Sequence, residues 1–176
     1  GLEVSSAGVS LKGRALWCGL YLNELVMTLF GRDDPVPELF DVYSASLPAL
    51  ADHGRQAEAL RRAEMAMLSV LGVMPELTRC ADSDEPVLAD GLYHVAPEAG
   101  LISADSAREG VIEGRTALYL AGQTSSPLDT RMQREARFLT RCLIDHQLGG
   151  KVLKTRELLG ERHTRRERPE PSGGIK

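Results

Sequence analysis

The chain has 176 residues, 43% of them hydrophobic and 26% charged, enough for one folded domain whose core needs neither disulfides nor metals. No apolar run approaches the roughly 18 residues of a membrane span, and the N-terminus lacks the basic-then-apolar pattern of a secretion signal. The net charge of −4 argues against a uniformly basic nucleic-acid binder.

That average hides an asymmetry. Residues 1–130 hold 9 Lys/Arg against 19 Asp/Glu, whereas residues 131–168 hold 11 against 5. An acidic body with a basic C-terminal quarter can meet a polyanion locally, because screening confines electrostatics to about 10 Å at moderate salt. The three cysteines, Cys18, Cys80 and Cys142, are far apart and odd in number. They read as free thiols of a reducing, cytoplasmic compartment. Gly1 stands where an initiator methionine would, as in a fragment or a processed product.

Taken in chain order, residues 2–13 alternate short apolar and small residues, as an extended segment does. Arg14 to Phe30 is leucine-rich, free of proline and apolar all around the helical wheel, which predicts a helix buried on several sides. Asn23 and Glu24 interrupt it and are expected to brace neighbouring backbone or an arginine. Gly31 and Pro35 should end it. A second helix is predicted from Pro37 to about Leu50, with Pro48 ending or kinking it. A third runs from about Arg55 to Leu71, with Leu60, Glu64, Met67 and Leu71 on one stripe.

Between Cys80 and Ser106 the texture changes. Turn signals surround GLYHV and LIS, predicting a small β-hairpin on a helical body. Thr116 to Gln123 is a short helix candidate. The last helix is the clearest, capped by Asp129 or Thr130 and stopped by Gly149. Met132, Ala136, Leu139 and Leu143 form its inward stripe, with Arg134, Arg137 and Arg141 opposite. LGGKVLKTREL, residues 148–158, superficially suggests a phosphate loop. It fails the GxxxxGK[ST] pattern, since Asp145 precedes Gly150 by five residues and Val152 follows Lys151. From Glu161 onward, proline, glycine and charge predict disorder.

LKGRALWCGLYLNEL, RDDPVPELFDVY, ALRRAEMAML, RCADSDEPV and LGGKVLKTREL occur in the order seen in RecO, a family of bacterial recombination mediators. The chain resembles that family over roughly residues 11 to 159. The resemblance implies an OB-fold followed by an α-helical domain, often with a zinc-finger-like insertion. It also implies action in the RecF pathway without reaction chemistry. Such proteins bind the C-terminal tail of the single-strand-binding protein, RecR, and single- and double-stranded DNA, promoting strand annealing and RecA loading.

On this basis residues 1–12 are expected to be the remnant of the last OB-fold strand. Residues 13–159 then form a mainly α domain, a helical bundle with a small hairpin insertion at about 78–106, and residues 160–176 a disordered basic tail. The sequence departs from the family in three places. It begins where the OB-fold finishes; Cys80 alone stands where some relatives have four cysteines; and Ala63 with VMP at 73–75 replaces an aromatic and a glycine-rich turn.

Four histidines, His53, His94, His146 and His163, fall in no catalytic motif, and Cys80 with His94 falls short of a zinc site. Neither catalytic residues, metal nor cofactor is expected. The family's partner tail is acidic and ends in an aromatic residue, so it calls for a guanidinium beside an apolar pocket. Arg61, Arg62, Leu60 and Met65 supply that combination; alternatively the arginines merely pair with Glu58 or Glu64 at helical spacing. Arg137, Arg141, Lys151, Lys154 and Arg156 are the expected DNA contacts, against a solvated basic face as the alternative. No aromatic cluster for base stacking is evident. Two competing functions remain open: a generic helical interaction domain, and a small enzyme whose site forms only in space.

Overall fold

In the computed structural model, residues 10–30, 36–106, 109–125 and 127–158 are described. Most of the expected strand remnant, the whole of the expected tail, and Gly31 and Pro35 lie outside them. The described residues are mainly helical with a small antiparallel sheet, as the sequence implies.

Helix α1, Gly13–Leu29, resolves its all-round apolarity by choosing a side. Ala15, Cys18, Tyr21, Leu22 and Leu25 are buried, while Leu16, Leu20 and Met27 stay exposed. Helix α2, Pro37–Ala51, does not stop at Pro48 but runs three residues further. Proline removes only one backbone bond there. Leu50, which is fully buried, pins the last turn, and the Gln56 side chain donates to the Leu50 carbonyl at 3.0 Å. Helix α3, Gln56–Val70, packs against α1, α2 and α5. Glu64 and Met67 of its predicted stripe are buried; Leu60 and Leu71 are half-buried.

The hairpin is larger than its sequence signals. Strands β1 (Leu92–Ala96) and β2 (Gly100–Ser103) are joined by a third, β3 (Val111–Glu113), in the order β2-β1-β3. All pairings are antiparallel, with His94 opposite Ile102 on one side and Val111 on the other. The two-residue period sends Tyr93, Val95, Leu101 and Ile112 into the core, where they are nearly inaccessible. His94, Ile102 and Val111 face outward.

A short helix, α4 (Gly114–Leu120), follows, and then α5 (Thr130–Leu148). Asp129 caps α5 by accepting a hydrogen bond from the Met132 amide at 2.8 Å, satisfying a donor that the first turn leaves open. Gly149 ends it with φ of +56°, a left-handed conformation that favours glycine. Met132, Ala136, Leu139 and Leu143 are buried as their spacing predicts, and Thr140 and Ile144 join them. The core gathers Leu22, Leu25, Leu50, Met67, Leu139 and Leu143 with the inner sheet face.

Candidate interaction surfaces

The two arginines of α3 point different ways. Arg61 is turned inward, its side chain only 12% exposed. Its guanidinium lies 2.8 Å from the Glu64 carboxylate and donates to the Thr140 hydroxyl at 2.7 Å, bridging α3 to α5. The other Glu64 oxygen accepts from the Tyr21 hydroxyl at 2.8 Å. Burial, and then the Glu64 charge, push the Tyr21 hydroxyl up, so it remains a donor. This chain of contacts ties together α1, α3 and α5.

Arg62 sits on the surface, its side chain 66% exposed and 2.7 Å from Glu58. The Tyr119 hydroxyl of α4 donates to the same carboxylate at 2.8 Å. One turn further along α3, half-buried Met65 lines an open cleft of about 570 Å³ with Met74, Leu77, Ala121 and Gln123. Leu60 is half-buried against the core. Of the four residues singled out on α3, Arg62 and Met65 therefore share an accessible face, while Arg61 is occupied internally.

The segment after α5 is strapped back onto α1. Both carboxylate oxygens of Glu24 accept backbone N–H bonds, from Lys154 at 2.7 Å and Thr155 at 2.9 Å, and the Thr155 hydroxyl adds a third at 2.6 Å. These are the open donors at the start of a short helical stretch over residues 154–158. Glu24 thus braces backbone, as its place in an apolar helix implies. Arg156 is also turned inward, ion-paired with Asp145 and donating to the Tyr21 hydroxyl at 3.1 Å. Its guanidinium lies 5.4 Å from the centre of the Tyr21 ring. Lys151 and Lys154 remain exposed.

Burial alone would raise the Glu24 carboxyl, but the Thr155 hydroxyl and amide, the Lys154 amide and the Lys154 charge hold it below its ordinary value of 4.5. A group depressed in the folded state stabilises above its unfolded value and loses that contribution as pH falls through the folded one. Glu24→Gln is therefore expected to cost about 1–2 kcal/mol near neutral pH. In urea melts at about pH 3.5 the gap from the parent chain should shrink. A gap that stays constant over that range would remove the carboxylate charge from the account.

On α5, Arg134, Arg137 and Arg141 are exposed. Arg141 has Asp145 at 3.5 Å; among the described residues no ion pair is formed by Arg134 or Arg137. Between them, Phe138 leaves 37% of its surface in water. Sequence reasoning passed over this ring because it looked for aromatics in groups. The available signal was positional: Phe138 lies four residues after Arg134 and three before Arg141, on the same helical face.

Among the described residues no three His, Cys, Asp or Glu side chains gather as metal ligands would. Cys80 is buried with its thiol 3.6 Å from the Ser103 hydroxyl, whereas His94 is exposed. No helix among them is long and apolar enough to cross a membrane. The described residues thus form a helical body with a sheet insertion, carrying exposed arginines beside partly exposed apolar side chains.

The family described as "Recombination protein O C terminal" matches residues 11–157, and the chain belongs to the RecO family. It is 38% identical to the DNA repair protein RecO of Methylococcus capsulatus over 89% of its own length and 63% of that relative's. It is 36% identical to the DNA repair protein RecO of Halorhodospira halophila, over 89% of this chain and 67% of the relative. The DNA repair protein RecO of Pseudomonas aeruginosa is 39% identical over 91% and 68% respectively. The chain thus spans about two thirds of the length of these relatives.

Proposed function

We propose that the chain serves DNA repair and homologous recombination by binding rather than by reaction chemistry, as a cytoplasmic mediator of the RecF pathway. Its partners are the C-terminal tail of the single-strand-binding protein, RecR, and single- and double-stranded DNA, and the outcome is strand annealing and RecA loading. The observation that carries this reading is the family match, which runs through residues 11–157 and includes both α3 and the basic end.

The α3 surface is the proposed tail site. A tail that is acidic and ends in an aromatic ring needs a cation to take carboxylate and a recess to take the ring. Arg62 is exposed one turn from Met65 and the cleft it lines. Glu58 now occupies Arg62, and a tail carboxylate would take over part of that pairing. Arg61 supports the site from beneath, holding α3 on α5, with Leu60 at its edge.

The test is a fluorescence titration of a labelled tail peptide. The parent chain should bind it, and Arg62→Ala should weaken binding about tenfold or more, the scale of one charge-assisted hydrogen bond. Equal affinity in the variant would take Arg62 out of the site, and no binding by the parent chain would favour a generic interaction domain.

A further inference from the structure

We infer that the outer face of the three-stranded sheet and the adjoining turn of α5 form a stacking site for unpaired nucleobases, with Phe138 as its platform. The inference rests on the DNA-binding reading and deepens it, by naming the strand state and the residue that senses it.

Three observations meet here. Phe138 is a large apolar side chain held partly in water on a helix whose opposite face fills the core. Beside it, the sheet turns outward an exposed imidazole, His94, flanked in register by half-buried Ile102 and Val111. Gly110 lies against both rings. A Cβ built at this position would lie 3.6 Å from the His94 ring and 3.7 Å from the Phe138 ring. Its φ of +85° favours glycine in any case. Both rings therefore lie within contact distance of one glycine, where the missing side chain leaves a small gap.

The charges around the gap decide what suits it. Arg134 and Arg141 lie one helical turn either side of Phe138, with Arg137 adjacent, and all three are exposed. Of the acidic groups on the neighbouring elements, Asp145 is ion-paired with Arg156 and lies 3.5 Å from Arg141, and Glu98 lies 3.5 Å from the His146 ring. Asp105 and Glu109 are exposed on the connection between β2 and β3. A π-face with cations on both sides matches a single strand, whose bases are free to stack while its phosphates pass the arginines. A duplex offers the phosphates but keeps its bases paired, so it uses the arginines alone.

The experiment measures binding of the full chain to labelled oligothymidylate of about 20 nucleotides, and to a duplex of equal length, by fluorescence anisotropy across salt concentrations. Phe138→Leu keeps the bulk and the helix but removes the π-face. It should weaken single-strand binding roughly tenfold, leave duplex binding unchanged and keep the parent's salt slope, because stacking releases no counterions. Phe138→Tyr should restore single-strand affinity. Arg137→Glu with Arg141→Glu should weaken both ligands and flatten the slope. Parent-like single-strand binding by Phe138→Leu, while the arginine variant loses both ligands, would overturn the stacking site and leave DNA binding standing. Equal loss of both ligands in Phe138→Leu would also overturn it. So would a Phe138→Leu defect confined to a polyglutamate peptide, which would mark a protein-binding face. A parent chain that binds neither nucleic acid would end the DNA reading itself.

Discussion

Glu64→Ala is expected to destabilise the fold by about 3–5 kcal/mol, the usual cost of leaving one member of a buried ion pair without its partner. For a domain of this size that is a drop in Tm on the order of 10 °C. Glu64 is only 1% exposed; one carboxylate oxygen accepts from the Tyr21 hydroxyl of α1, and the other lies 2.8 Å from the Arg61 guanidinium one turn back on α3. Without this carboxylate the Arg61 guanidinium, itself 12% exposed, keeps the Thr140 hydroxyl but loses its counter-charge, and the buried Tyr21 hydroxyl loses its acceptor on α3. Glu64→Gln keeps an acceptor for Tyr21 but no charge for Arg61, so it should fall between Ala and the parent. Arg61→Ala should cost a similar amount, now stranding the carboxylate. Because both singles break one unit, Arg61→Met with Glu64→Leu should cost well under the sum of the singles. Urea unfolding of the parent and the four variants measures this directly; a loss under about 1 kcal/mol for Glu64→Ala would show that water reaches the pair. Any weakening of tail binding by Arg61→Ala has to be compared with Glu64→Gln before it is assigned to contact with the tail.

The same pair shows where sequence ends as a guide. Arg61 and Glu64 are three residues apart on a helix, a spacing that describes solvated surface pairs equally well. What buries them is Thr140, 79 residues away, and Tyr21, 43 residues from Glu64. Neither contact leaves a local trace. Arg156 shows the same limit: it stands close to Lys151 and Lys154 in sequence, yet Asp145 and Tyr21 draw it inward. Legible features were those set by short-range physics. The α5 stripe repeats over 19 residues between an aspartate cap and a left-handed glycine, so its existence, ends and inner face could all be read. Strand β3 has three residues between turns, too few for a period to emerge. Glu24 lay between: a carboxylate in an apolar helix required donors, but which backbone supplied them was a matter of tertiary structure.

Among the described residues, Gly114→Ala should be the most damaging glycine substitution, at roughly 2–5 kcal/mol, although nothing in its sequence context marks it. Its φ lies outside the left-handed region, so backbone freedom is not the reason. Space is. An added Cβ would sit 1.9 Å from the Leu88 carbonyl oxygen and 2.9 Å from both the Leu88 carbonyl carbon and the Tyr93 ring. Two of those three atoms are backbone and cannot rotate away. The loop cannot simply retreat, because it supplies acceptors for the start of α4: Gly114 donates to the Gly91 carbonyl and Arg115 to the Ala89 carbonyl, each at 2.9 Å. Leu88 in turn donates its amide to the Tyr93 hydroxyl at 2.8 Å. Making room for one methyl therefore strains the packing or breaks bonds at the junction of loop, sheet and α4. Gly149→Ala provides the contrast: φ there is +56° but a Cβ would meet nothing within 4 Å, so only conformational strain of about 1–2 kcal/mol applies. Urea midpoints should rank Gly114→Ala well below Gly149→Ala, with faster hydrogen exchange at the amides of residues 114 and 115 in the former. The reverse ranking would mean that the loop carrying Leu88 yields freely, and that the seat of α4 against the sheet is not set by Gly114.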